Sequence, residues 1–293
     1  MGSIKLSKLT ALDIDRYYAK LRKRGLAPAT IRQIHAILRA SLNQAERWGL
    51  VYRNVARLAS APSQPQREQQ PPDAETVTSL MEAAYNVSPL FGLFVSLTAA
   101  SGGRRSEVIG LRWSDLDVAL LTIERNYMVL PGMRADQPTK TRTKRTLTLD
   151  PETLDELKQG WKTAADLAEL CGITAEERRL GYIFTDDPAG RQAWRPDRAN
   201  VRWAKARKLA GVDVSVRLHD LRHFHATHLL DAKVPVPSVA KRLGHADGTT
   251  TLKVYAHGTP EGDAASADVI GNVLRGRKKQ TPDAPIEQSP LAS

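Results

Sequence analysis

The chain has 293 residues, 41% hydrophobic and 26% charged, a balance that excludes a wholly disordered polymer. No apolar run approaches the ~20 residues that span a bilayer, and the N-terminus lacks the apolar core of a signal peptide. The single cysteine, Cys171, excludes an internal disulfide framework or a cysteine-built zinc cage and suits a reducing cytosol, while 43 Lys+Arg against 32 Asp+Glu leave a net charge of +11.

The excess charge is concentrated. Residues 1–72 hold thirteen basic and four acidic side chains, a net +9, so the other 221 residues carry only +2. A small basic segment before a larger, near-neutral one predicts a polyanion grip ahead of a working domain, in line with two domains at about 150 residues each. A helix is predicted over 10–25. There Thr10 and Asp13 spell a capping box, Ile14, Tyr17, Tyr18 and Leu21 form the apolar stripe, and Gly25 ends it. A second helix carries Ile31, Ile34, Leu38, Leu42, Ala45 and Trp48 at steps of three or four and stops at Gly49. Its Arg32, Arg39 and Arg47 lie off that stripe, free to face DNA. A third short helix is expected near 53–60. Four prolines and four glutamines over 61–73 read as a linker, assigned to 66–72.

Beyond it, helices are predicted near 75–85, 88–101 and 105–112. The period then shifts to three short strands at 120–123, 127–130 and 146–149. A helix over 151–169, a strand at Tyr182-Ile183-Phe184 and helices near 196–210, 219–231, 236–243 and 249–256 follow, with an amphipathic stretch over 263–275. The tail, 278–293, is polar enough to be disordered.

Six of the seven histidines fall between 219 and 257. His219 and His223 stand four apart on one helix, as metal ligands do, but the residues between them are Asp-Leu-Arg and an arginine repels a cation. Packed or DNA-facing histidines explain the run better than a metal site. Arg222 suits an anion instead, gripping phosphate oxygens bidentately beside His219. Upstream, Gly102-Gly103-Arg104-Arg105-Ser106-Glu107 opens a helix with adjacent arginines. Lys140, Arg142, Lys144 and Arg145 crowd a hairpin, Leu243-Gly244-His245 ends a helix, and Tyr255 follows. Each has a plain explanation alone: hairpin cations are usually solvated, and a lone tyrosine usually packs.

Together they resemble a family. The strings Gly-x-Arg-Arg-Ser-Glu-Val-Ile-x-Leu-Arg-Trp-Ser-Asp (102–115), Thr-Lys-Thr (139–141), His-Asp-Leu-Arg-His (219–223), Arg-Leu-Gly-His (242–245) and Thr-Leu-x-Val-Tyr-x-His (251–257) are similar, in order and spacing, to those of tyrosine recombinases of the phage-integrase type. Thr-Ile-Arg-Gln-Ile (30–34) and Ala-Glu-Arg-Trp-Gly-Leu (45–50) resemble that family's helical core-binding domain. The resemblance implies a mainly α fold with a small antiparallel β-sheet, an α+β catalytic domain within a two-domain DNA clamp. Residues 1–65 would be the core-binding domain and 73–277 the catalytic domain.

By resemblance, Arg104 and Arg222 clamp the scissile phosphate, Lys140 protonates the leaving 5′-oxygen, and His219 acts in acid–base chemistry or positioning. His245 donates a second hydrogen bond, and Tyr255 is the nucleophile. Glu107 orients Arg104 from behind, the Arg-x-x-Glu spacing fixing Arg104 rather than Arg105, and Asp220 supports the second cluster. Arg142 and Lys144 join Arg32, Arg39 and Arg47 as DNA contacts. The chemistry is coherent: a tyrosine is about one part in a thousand ionised at pH 7, so phenolate attack needs nearby cations. No cofactor and no metal are expected. The implied partners are two double-stranded DNA sites, a homotetramer formed at synapsis from free monomers, and a directionality factor or host DNA-bending protein. The implied setting is the bacterial cytosol and nucleoid, with no membrane. A type IB topoisomerase uses similar chemistry without pairing sites, which the N-terminal domain argues against; a non-catalytic DNA-binding regulator would not need the full set of six. Departures from the family pattern occur at Phe224, His225 and Lys233, the last replacing a customary turn glycine. Many phage integrases carry a further N-terminal domain for arm-type sites, whereas this chain begins directly at the core-binding domain, as a shortened chain or a minimal integrase would.

Overall fold

The computed structural model of the chain describes residues 4–63, 71–130, 133–138 and 144–244. The chain divides into two compact units, residues 1–70 and 71–293, each taken by itself below.

In the first unit, α1 (Ala11–Lys23) starts at Thr10, whose hydroxyl accepts from the Asp13 N–H while the Asp13 carboxylate accepts from the Thr10 N–H. The capping box written in the sequence is therefore formed. Helix α2 (Pro28–Arg47) packs on α1 through Ile14, Tyr18, Leu21, Ile31 and Leu42. The predicted third helix shrinks to a single 3₁₀ turn, Val55–Arg57, held by buried Asn54, whose amide donates to the Arg39 carbonyl and the Asn43 side chain. Trp48, placed on the apolar stripe by periodicity, is 69% exposed. The helix stops one residue before it, and the chain reverses at Gly49 (φ +70°) with the Leu50 N–H on the Ala45 carbonyl, which leaves the ring outside the small core.

The second unit is built around α4 (Pro89–Ser101), apolar on nearly every face and buried from Phe91 through Ala99, as a helix surrounded by others must be. Against it pack α3 (Ala74–Val87), α5 (Arg105–Ile109), α6 (Pro151–Leu170) and α9 (Asp220–Asp231), with α8 (Pro196–Leu209) on α3 and α10 (Val236–Leu243) on α9. A short α7 (Ala175–Arg179), not anticipated from the sequence, is capped by Thr174 and Glu177.

The fold is mainly helical with a small antiparallel sheet of three strands in the order β1 (Leu116–Asp117), β2 (Leu120–Ile123), β5 (Arg145–Thr148). The predicted strands near 120 and 146 pair with each other, Leu121 opposite Leu147. The predicted strand at 127–130 extends to β3 (Arg125–Leu130) and pairs instead with β4 (Met133–Pro138) in a separate hairpin. Tyr182–Phe184 is no strand: the segment makes only single bridges, Arg112 to Tyr182 and Thr185 to Ala193, although Ile183 and Phe184 are buried. Helix α5 stops at Ile109 rather than 112, with Gly110 as its C-cap; there the chain passes tightly against β3, where a Cβ would sit 3.3 Å from the Tyr127 backbone nitrogen. The predicted helices at 249–256 and 263–275 and the tail lie outside the described residues.

Candidate active site

The site begins where α4 ends. Gly102 takes a left-handed φ of +60°, and a Cβ there would lie 2.7 Å from the Leu243 methyl and 2.8 Å from the His225 ring, so only glycine fits both the turn and the approach. Two residues later Arg104 caps the start of α5, where Glu107 reaches back. One Glu107 oxygen accepts from the Arg104 guanidinium at 2.7 Å; the other accepts from the Arg104 backbone N–H at 2.9 Å and from Arg145 at 2.6 Å. Glu107 is 1% exposed. Burial alone would raise its pKa, but Arg145 and Arg104 outweigh it and hold the carboxyl below its ordinary value.

Arg222, on the first turn of α9, is buried. Its two terminal nitrogens donate to backbone carbonyls, Gly102 at 2.7 Å and Leu243 at 2.7 Å. Carbonyls fix a guanidinium without cancelling its charge. Burial pushes the Arg222 pKa down to about 9, Arg104 and Arg145 acting the same way and Glu107 opposing, so it stays cationic at neutral pH. Two arginines, Arg104 and Arg145, bond one carboxylate, and Arg222 lies near enough to feel both arginines and the carboxylate; the surplus positive charge is a receptor for an anion.

His219 immediately precedes α9, its ring edge-on to His223 at 5.0 Å. The surrounding protein, then His223 and Arg222, push its pKa down to about 4. Its ring remains open to solvent, so water softens that push, but the direction leaves His219 neutral at pH 7 and able to donate or accept. Asp220 accepts from the Arg217 backbone at 2.8 Å and from its guanidinium at 3.1 Å, bracing the turn that presents His219.

Arg104, Glu107 and Arg222 therefore meet in one cluster with His219 at its edge. Lys140, Arg142, His245 and Tyr255 lie outside the described residues. Lys144 is exposed and 3.4 Å from the Glu124 carboxylate. Arg32, Arg39 and Arg47 are exposed on α2, within about 80° of arc at 3.6 residues per turn; Arg32, His35, Arg39 and Asn43 line a groove of about 540 Å³. A more apolar cavity of about 470 Å³, lined by Tyr85, Leu93, Glu156, Arg178 and Ile183, shares no residue with the arginine cluster. Among the described residues, no three of His, Cys, Asp and Glu gather as metal ligands, and no helix is long and apolar enough to cross a membrane.

Two buried participants, Arg145 and His225, and the half-buried Arg242 are not singled out by the sequence. Arg145 stands among hairpin cations that read as solvated, yet it is 5% exposed. The β5 alternation offered the signal, since Arg145, Leu147 and Leu149 face inward while Lys144, Thr146 and Thr148 face out. His225 and Arg242 form the other pair, Arg242 donating to the His225 Nε2 at 3.1 Å and to the Ala100 and Thr148 carbonyls.

Comparison with known proteins agrees with this architecture. The sequence pattern described as the phage integrase family matches residues 73–261. A tyrosine recombinase XerC-like protein of Caldanaerobacter subterraneus subsp. tengcongensis is 23% identical over 92% of this chain and 73% of its own. The ICEBs1 integrase of Bacillus subtilis is 28% identical over 63% of this chain, which spans only half of that relative. In fold, the chain is similar to the Tn1549 transposon integrase in complex with transposon right end DNA (TM-score 0.75, 18% identity, 92% of this chain and 88% of that one). It is also similar to a lambda integrase dimer bound to a COC′ core site (TM-score 0.61, 18% identity, 86% and 81%). The fold is that of the tyrosine recombinases. The chain belongs to the phage integrase family.

Proposed function

We propose that this chain cuts and rejoins DNA at specific sites, integrating or excising a mobile or phage element through a covalent 3′-phosphotyrosine. The observation that carries the reading is the Arg104–Glu107–Arg145–Arg222 cluster, with buried Glu107, Arg145 and Arg222 behind a half-buried Arg104, charged beyond its one carboxylate. An attacked phosphodiester gathers negative charge on its non-bridging oxygens, and fixed guanidinium donors are worth about 3–4 kcal/mol each, or 10²–10³ in rate. Arg104 and Arg222 bind those oxygens, with neutral His219 beside them and His245 as a further donor. The Tyr255 hydroxyl gives its proton to neutral His219 while its oxygen bonds to phosphorus as the bond to the 5′-oxygen breaks, and Lys140 gives that 5′-oxygen its proton. Attack by a 5′-hydroxyl from the partner strand reverses the step, so resealing needs no ATP. The basic face of α2 with Arg32, Arg39 and Arg47, joined by Arg142 and Lys144, holds the duplex through its phosphates. Two DNA sites bridged by a homotetramer complete the reaction through a Holliday junction. A directionality factor or host DNA-bending protein biases its direction.

The test is a nicked duplex carrying the element's junction, which traps a cleaving recombinase as an SDS-resistant complex. Tyr255→Phe is expected to abolish the complex and to keep DNA affinity within about twofold, because only a hydroxyl is lost. Covalent complex with the phenylalanine variant refutes the assignment of the nucleophile.

A further inference from the structure

We infer that Arg145 is a positioning residue for both phosphate-binding arginines at once. The inference rests on the recombinase reading above. Its guanidinium has two separate attachments. One terminal nitrogen donates to Glu107 at 2.6 Å, on the carboxylate whose other oxygen holds the Arg104 guanidinium at 2.7 Å. Its Nε donates at 3.0 Å to the Arg242 carbonyl, one residue before Leu243, whose own carbonyl holds Arg222 at 2.7 Å. Arg145 therefore sets Arg104 through a side chain and Arg222 through a backbone turn.

The next residue shows that the turn is shaped around it. Gly244 has a φ of +66°, and a Cβ there would lie 2.8 Å from an Arg145 terminal nitrogen. Only glycine lets the guanidinium lie against this backbone. Arg145 comes from β5, Glu107 from α5 and Leu243 from α10, so one side chain fastens three elements that the sequence keeps far apart. A lysine carries the same charge but lacks the planar fork that serves two acceptors in different directions. Arg145 itself is 5% exposed and spent on these partners; it acts through Arg104 and Arg222 rather than on DNA.

The experiment compares single-turnover cleavage of a normal phosphodiester with that of a duplex whose scissile phosphate is a neutral methylphosphonate. The neutral group has less charge for the arginines to stabilise, so a defect in arginine placement shrinks on it. A misplacement of about 1 Å costs about a hundredfold. Arg145→Met is expected to slow phosphodiester cleavage by about ten- to a hundredfold with DNA affinity nearly unchanged, and to be within about threefold of wild type on the methylphosphonate. Arg145→Lys should restore little. An equal loss on both substrates, or no loss, overturns the positioning role. Glu107→Gln supplies the same comparison if Arg145→Met fails to fold: it keeps the shape, removes the shared charge, and should show the same substrate-dependent loss. Arg104→Ala must show the methylphosphonate rescue in parallel; if it does not, or if wild-type protein cleaves neither substrate, the recombinase reading fails and the inference with it.

Discussion

His225 makes acid stability measurable at one ring. Its Nδ1 lies 2.9 Å from the Ala99 carbonyl, which can only accept, so Nδ1 carries the proton. Nε2 then presents its lone pair to the Arg242 N–H at 3.1 Å. A second proton on the ring would set N–H against N–H. Burial, then the charges of Arg242 and Arg222, push its pKa down to about 4, the Ala99 hydrogen bond opposing. The unfolded chain binds the proton near 6.5, so the folded state holds fewer protons between those values. Stability is therefore full above pH 6.5 and falls as the pH drops toward 4. At pH 5 the loss from this ring is about 2 kcal/mol, or roughly 4–8 °C in melting temperature for a domain of this size. Urea melts of wild type and His225→Gln at pH 7.5 and 5.0 read it directly. His219 and His223 shift the same way, so the informative quantity is the difference between the two slopes. The variant should be less stable at pH 7.5 and lose about 2 kcal/mol less on acidification. Parallel pH dependence in the two proteins refutes the assignment of a neutral, doubly bonded ring.

Lys140→Ala should slow cleavage of ordinary DNA far more than cleavage of a 5′-phosphorothiolate duplex, whose sulfur departs without a proton; equal slowing on both assigns it to binding, and sulfur rescue in Lys144→Ala instead moves the acid within the hairpin. Lys233, where the family pattern has glycine, is exposed with a φ of +62°, so Lys233→Gly should stabilise the second unit by about 0.5–1 kcal/mol, read as a rise of a few degrees in melting temperature without change in cleavage rate.

What the sequence disclosed depended on how local each signal was. Thr10 with Asp13, and Arg104 with Glu107, are pairs three residues apart, and both formed as spelled. The longer helix spans, α1–α4, α6 and α8–α10, follow from periodicity for the same reason, whereas the short segments at 53–60 and 175–179 escape it. Strand partners do not follow from it: nothing local says that 120–123 seeks 145–148 while 125–130 folds on 133–138. Tyr182–Phe184 shows the limit of apolar runs, which report burial and not pairing. A run of cations looks solvated, yet β5 parity puts Arg145 on the leucine face. The links from His225 to Ala99 and from Arg242 to Ala100 join residues more than a hundred apart, beyond any local pattern.

Arg222 carries a further lesson about how such a site withstands mutation. Its partners are the carbonyls of Gly102 and Leu243, and no side-chain replacement can delete a carbonyl. Apart from Arg145, which ties down the Arg242 carbonyl, drift in the surrounding side chains leaves the acceptors in place. The position is otherwise vulnerable where the backbone path is set, at the left-handed glycines 102 and 244. An amino-acid change at either would displace an arginine whose own codon is untouched, so two residues without side chains hold more of this site's geometry than most of the residues that have them.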